Sequence, residues 1–189
     1  MFFSYSPEQR LLKRLQNGNK AAAREFYSLY ADYLAGVCAR YIADKEDLKD
    51  VFQEALIRIF TNIGQFSYQG EGSLRAWAAR ITVNESLKFL RASQRRELVR
   101  LETDFADEDD EDDPPIDDIP PDAIVEMLGR LPEGYRTVFN LYVFEGKSHK
   151  EIAALLGIRE NSSASQLHRA KNLLAKMIRE YNDKNNPRQ

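Results

Sequence analysis

The stretch KEDLKDVFQEALIRIFTNI, residues 45–63, decides the fold. Leu48, Val51, Phe52, Ala55, Leu56, Ile59, Phe60 and Ile63 recur at steps of three and four, which winds them onto one side of an α-helix. An apolar stripe this long and unbroken predicts an amphipathic helix laid against a core. Its opposite face carries Asp50, Gln53, Glu54, Ile57, Arg58 and Thr61. An aliphatic side chain set among acids and an amide fits a protein–protein contact, although single exposed aliphatics also occur on ordinary surfaces.

Working outward, the same periodicity predicts helices at about residues 8–16, 20–42 and 74–95, with Ser73 as the N-cap of the last. In the second of these, Phe26, Leu29, Tyr30, Tyr33, Leu34, Val37 and Tyr41 keep helical steps. Further on, Gly129, Pro132, Gly146 and Gly157 punctuate four more helices, at about 122–130, 133–144, 148–156 and 160–182. No strand-like alternation or internal repeat competes. The expected class is all-α.

Between the two sets lies the charge anomaly of the chain. Residues 101–122 hold twelve acids and no lysine or arginine, and setting them aside turns the formal net charge from −3 to +9. Prolines 114, 115, 120 and 121 and like-charge repulsion argue against a core in that segment. The expected organisation is a helical domain over 1–96, an acidic flexible linker over 97–121 and a second small helical domain over 122–189.

The C-terminal stretch KSHKEIAALLGIRENSSASQLHRAKNLL, residues 147–174, reads as a helix-turn-helix. Ser148 with Glu151 forms a capping box, and Gly157 suits a left-handed helix end. The helix that follows opens on short polar side chains, as a recognition helix does, while Leu167, Ala170, Leu173 and Leu174 hold it to the helix before. Ser162, Ser165, Gln166 and Arg169 would then face base edges or phosphates, and Lys150, His168 and Lys171 phosphates. The alternative is a plain helical hairpin with a solvated face. Ser163 stands where an apolar side chain would pack better.

On the fourth helix, Trp77, Ile81, Asn84, Lys88, Arg91 and Arg95 form one line that begins aromatic and ends cationic. Such a strip suits nucleic acid, with phosphates on the cations and an unpaired base on a ring. Phe66 and Tyr68, in a glycine-containing loop just before it, add π-faces for an unstacked base. Buried Trp77 and Ile81 beside solvated cations are the plain alternative.

Other classes are disfavoured. One cysteine, Cys38, forbids an internal disulfide, reads as a small core residue, and with only two histidines makes a zinc site improbable. No close Ser/His/Asp or Cys/His set and no phosphate-binding glycine loop is present, so neither an enzyme nor a cofactor or small-molecule substrate is expected. No apolar run approaches the roughly 20 residues of a membrane span, and the start MFFSYSPEQRLLKR lacks a secretory pattern. A cytoplasmic protein without membrane insertion is expected.

Together these parts resemble bacterial RNA polymerase sigma factors of the extracytoplasmic-function type. The resemblance rests on EDLKDVFQEALIRIF (46–60), FSYQGEGSLRAWAARITVNESLKFLR (66–91) and LPEGYRTVFNLYVFEGKSHKEIAALLGIRENSSASQLHRAKNLL (131–174), in that order. It implies that Asp50, Gln53 and Glu54, beside Ile57, contact core polymerase. Asn84 and the 66–73 loop would meet the melted −10 strand, and Ser162, Ser165, Gln166 and Arg169 the −35 element. Family members often carry a basic residue where Ala164 stands and an arginine where Gln166 stands. Promoter DNA and core polymerase are the implied partners, and such proteins are often held by an anti-sigma factor. In this family the linker threads the polymerase's nucleic-acid path, where a polyanion could stand in for RNA or serve simply as a tether. A helix-turn-helix regulator outside this family, binding duplex by itself, is the alternative function, and a helical adaptor that binds only protein is a further one.

Overall fold

The computed structural model describes residues 5–94 and 119–185, so Arg95 and most of the acidic segment lie outside the described residues. The chain divides into two units between residues 96 and 97. In the first, α1 spans Pro7–Gln16, α2 Lys20–Ala39, α3 Lys45–Asn62 and α4 Ser73–Gln94, with a 3₁₀ turn at Ile63–Gln65. In the second, α5 spans Pro121–Arg130, α6 Glu133–Val143, α7 His149–Leu156 and α8 Glu160–Asn185. Every regular element among the described residues is helical.

Local chemistry sets the starts of the first three helices. Ser6 accepts from the Gln9 amide with Pro7 at the first helical position, Asn19 accepts from Ala22, and Asp44 accepts from Glu46 and Asp47. Ser73 is different. It lies inside α4 rather than capping it, and its hydroxyl accepts from the Gln69 amide, tying the preceding loop to the helix. Gly72, at φ +82°, takes the boundary position instead.

Of the α3 stripe, Val51, Ala55, Ile59 and Ile63 are buried, while Leu48, Phe52, Leu56 and Phe60 are half-buried along its flank. Helix α2 departs from the expected pattern. Phe26, Leu34, Val37 and Tyr41 are buried, but Leu29 and Tyr33 are 60% and 44% exposed. The inward arc is completed by small residues, Ala22, Ala31 and Cys38, because α2 packs against α1, α3 and α4 and close approach favours small side chains there. Its apolar arc is wider than its neighbours can cover.

Thr82 and Ser86 are buried on the inner face of α4, which is tolerated because their hydroxyls donate to Ala78 O and Thr82 O one turn back, at 3.1 and 2.9 Å. Ser86 Oγ lies 3.6 Å from Cys38 Sγ, and burial pushes the Cys38 thiol pKa up. Cys38 is a core residue, as expected.

The second unit is built around Met127, Leu128, Leu131, Tyr135, Ala170 and Leu174, with Ile119 also packed into the cluster. Ala170 and Leu174 therefore secure α8 to α5 and α6 rather than to α7 alone, because α8 is long enough to pass beyond the short α7. Arg136 is buried beside them. Its Nη1 donates to Gly129 O at 2.9 Å and Leu131 O at 3.3 Å, supplying donors where α5 has run out of its own.

Candidate nucleic-acid and partner interfaces

In the first unit the surface splits between α3 and α4. Asp50 and Gln53 are exposed, Glu54 is half-buried, and Ile57 is 50% exposed, so the polar face of α3 looks outward as its periodicity requires. Arg58 Nε reaches Glu54 at 3.5 Å and Glu85 of α4 at 3.6 Å, and Glu85 in turn pairs with Lys88 Nζ at 3.0 Å. Each pair is partly exposed and contributes little alone. Their consequence is geometric: Glu85, only 13% exposed, ties the acidic face of α3 to the cationic line of α4. A groove of about 270 Å³ lies along this seam, bounded by Asp50, Glu54, Glu85 and Lys88 with Val51 and Phe89 among its walls.

The line on α4 is realised as far as it is described. Trp77 and Ile81 are half-buried, while Asn84, Lys88 and Arg91 are exposed. Arg91 Nε donates to Leu87 O at 3.2 Å. Phe66 packs on Trp77 with ring centroids 4.9 Å apart, and Tyr68 donates to or accepts from Ser6 Oγ at 2.7 Å. Both loop aromatics are half-buried against the core rather than free in solvent. The loop residues that are exposed are Ser67, Gln69 and Glu71.

In the second unit the helix-turn-helix is α7, a turn and α8. Ser148 accepts from the Glu151 amide at 3.3 Å, while the Glu151 carboxylate accepts from the Ser148 amide at 2.9 Å. Gly157 closes α7 at φ +70°, a left-handed conformation that a β-carbon would disfavour. Ser163 proves to be fully buried and is held by a partner: its Oγ lies 3.0 Å from His149 Nδ1. The His149 ring also stacks on Tyr142 at 4.9 Å. A short hydroxyl at this position lets α8 approach α7 and satisfies a ring nitrogen, which an aliphatic side chain could not.

The recognition face follows from that placement. Lys150, Ser165, His168 and Lys171 are exposed, and Ser162, Gln166 and Arg169 are half-buried. Arg169 Nη1 lies 3.4 Å from Tyr135 Oη, His168 Nε2 lies 3.3 Å from Asn172 Nδ2, and Ser165 Oγ donates to Asn161 O. These bonds orient side chains without burying them. Reading the sequence alone missed Glu85, His149 and the loop anchors Ser6, Glu8 and Gln16. The one available signal was Ser163 itself, a polar residue at an apolar position, which asks for a polar partner. Among the described residues no group of three or more His, Cys, Asp and Glu could hold a metal, and no helix is long and apolar enough to cross a membrane.

The capping box makes α7 sensitive to acid. Bonds from the Ser148 amide, then from its hydroxyl, then from Lys147 hold the Glu151 carboxyl below its ordinary 4.5. A depressed carboxyl pKa stabilises the fold above 4.5, and that contribution is lost as pH falls through the lower folded value. The Ser148 amide resonance should therefore titrate below pH 4.5. In Glu151→Gln, whose one amide oxygen can still accept from the Ser148 amide but which carries no charge, that titration should vanish; a titration that persists would assign it to another group.

Comparison with known proteins agrees with this geometry. Residues 26–96 match Sigma-70 region 2, and residues 122–174 match Sigma-70, region 4. The chain is 28% identical over 182 residues to an ECF RNA polymerase sigma-E factor of Haemophilus influenzae, covering 90% of this chain and 95% of that one. It is 29% identical over 185 residues to an RNA polymerase sigma-H factor of Pseudomonas aeruginosa, covering 90% and 93%. With ECF sigma factor SigW of Bacillus subtilis the identity is 25% over 183 residues, covering 91% and 97%. With both regions present in order, and the relatives spanned almost end to end, the chain belongs to the sigma-70 family, among its ECF sigma factors.

Proposed function

We propose that this chain binds core RNA polymerase in the cytoplasm and directs it to promoters, opening the −10 element and starting transcription. In this reading Asp50, Gln53, Glu54 and Ile57 engage the polymerase. Asn84, Lys88 and Arg91, with Phe66 and Tyr68 of the loop and Trp77 of α4, engage the melted −10 strand. Ser162, Ser165, Gln166 and Arg169, with Lys150, His168 and Lys171 on phosphates, engage the −35 duplex. The chain performs no bond chemistry and needs no cofactor; phosphodiester formation belongs to the polymerase. An anti-sigma factor is the further expected partner.

The observation that carries the proposal is that one chain has two different surfaces, each suited to a different form of nucleic acid. One is a cationic line with rings beside it, suited to separated strands. The other is a capped helix-turn-helix, suited to intact duplex. Neither need bind strongly, because attachment to a shared polymerase raises the effective concentration of each for its element.

The test is run-off transcription with core polymerase, joined to start-site mapping. Wild type should comigrate with core and yield discrete start sites. Asp50→Lys with Glu54→Lys should abolish comigration. Lys88→Ala with Arg91→Ala should keep it but reduce open complexes about tenfold or more and lower the salt dependence of opening. A chain that fails to comigrate yet binds duplex tightly by itself would instead be a regulator that acts without polymerase.

A further inference from the structure

Helix α1 contributes no residue to any surface described above, yet two of its side chains, Glu8 and Gln16, and its N-cap Ser6 all reach one place, the loop from Phe66 to Gly72. Ser6 Oγ, already accepting from Gln9 N, lies 2.7 Å from Tyr68 Oη. Gln16 Nε2 donates to Ile63 O at 3.2 Å and to Phe66 O at 2.8 Å. Glu8 is only 8% exposed, an unusual position for a carboxylate, and its Oε2 accepts from the Gly72 amide at 2.8 Å. Its other oxygen lies 3.5 Å from Tyr30 Oη, whose pKa is raised by burial and then by Glu8 itself.

These contacts fall at the loop's entry, middle and exit. Between them the loop supports itself: Gln69 N donates to Ser73 Oγ and Ser73 N to Gly70 O, with Gly70 and Gly72 at φ +120° and +82°. Glycines leave the backbone many conformations, so these internal bonds fix the loop's shape together with the contacts from outside. Below it, Phe66 and Tyr68 rest on the cluster that includes Leu11, Leu12 and Leu15 of α1. Above it, Ser67 and Gln69 are exposed.

We infer that α1 is a positioning element for this loop, with Glu8 as the positioning residue that fixes its exit at Gly72. The loop is thereby preformed, and a strand meeting Ser67 and Gln69 does not have to bear the entropy of ordering seven residues. This rests on the proposed function, in which the loop meets the melted −10 strand. Base selection then depends on a carboxylate that touches no DNA.

Holoenzyme, formed from core polymerase and the full chain, is incubated with a single-stranded DNA pool carrying ten randomised positions, and the retained fraction is sequenced. Wild type should enrich a short motif. Glu8→Ala, which removes the acceptor for Gly72, should reduce that enrichment at least about fivefold, the loss expected of one unmade hydrogen bond. Comigration with core should be unchanged. Glu8→Gln, whose amide oxygen can still accept, should restore it. Gln16→Ala, a second anchor, should act in the same direction and replaces Glu8→Ala if that variant does not fold.

If the anchor variants enrich as wild type does while Ser67→Ala with Gln69→Ala loses the motif, the inference is overturned and the proposed function stands. Loss in Glu8→Gln equal to that in Glu8→Ala would assign the effect to charge, not to the Gly72 bond, and overturns it too. If the Ser67/Gln69 variant also enriches normally, the loop does not read the strand. The loop's part in the proposed function then fails, and this inference fails with it.

Discussion

Phe26→Ala should cost the first unit about 3–5 kcal/mol, the range for truncating a large buried aromatic. Phe26 is fully buried where four helices meet. Its ring meets Tyr30 edge-on at 5.0 Å and Phe60 of α3 at 5.5 Å, and the same cluster contains Leu11 and Leu15 of α1 and Leu74 and Ala78 of α4. For a domain whose whole stability is about 5–15 kcal/mol, such a loss leaves little margin. The chain's single tryptophan, Trp77, lies in this unit, so its fluorescence in urea follows this unit. The midpoint should fall steeply at nearly constant slope. A loss below about 1 kcal/mol would mean that Phe26 does not join these helices. Because α3 and α4 carry the two proposed surfaces, polymerase binding and strand capture should fail together in this variant at elevated temperature.

The second large effect is expected at Arg136. Two terms oppose each other. Burial disfavours the guanidinium and lowers its pKa, so removing it relieves a desolvation cost. Removing it also strands the Gly129 and Leu131 carbonyls that Nη1 serves. Each buried acceptor left unmade costs about 1–3 kcal/mol, and alanine adds a cavity where the aliphatic stem lay. The second set of terms is the larger, so Arg136→Ala should destabilise the second unit by about 2–4 kcal/mol. Arg136→Met separates the causes. It refills the stem volume without donors, and should recover the cavity part only. Amide hydrogen exchange in α5 and α6 of the full chain reads both, as tens-fold or faster exchange in the alanine variant. An Arg136→Met protein as well protected as wild type would show that the two carbonyls need no donor.

Neither residue announced its role in the sequence. Phe26 was legible as part of an apolar series, but Leu29 and Tyr33 belonged to the same series and are exposed. The period of a helix says which residues share a side; the extent of that side which finds a neighbour depends on helices elsewhere in the chain. Arg136 gave no signal of its role, because nothing within one turn of it says that the end of α5 will arrive there. The same limit applies to the candidate site. Lys88 was legible as a member of a cationic line, and Glu85, three residues before it, lies within reach of spacing alone, whereas the pairing of Glu85 with Arg58 on another helix was not legible.

What the sequence determined by itself is the set of features decided within about a turn of helix. These are the helical class, the α3 stripe, the capping box of Ser148 and Glu151, and the left-handed Gly157. Their interactions join residues three or four apart, so composition and spacing suffice. Only the tertiary structure decided the contacts that join distant residues: Ser163 with His149, Glu8 with Gly72 and Gln16 with Phe66. In each, a polar group is tolerated inside because a partner from another element satisfies it. That partner is chosen by how the helices dock, which no local pattern encodes.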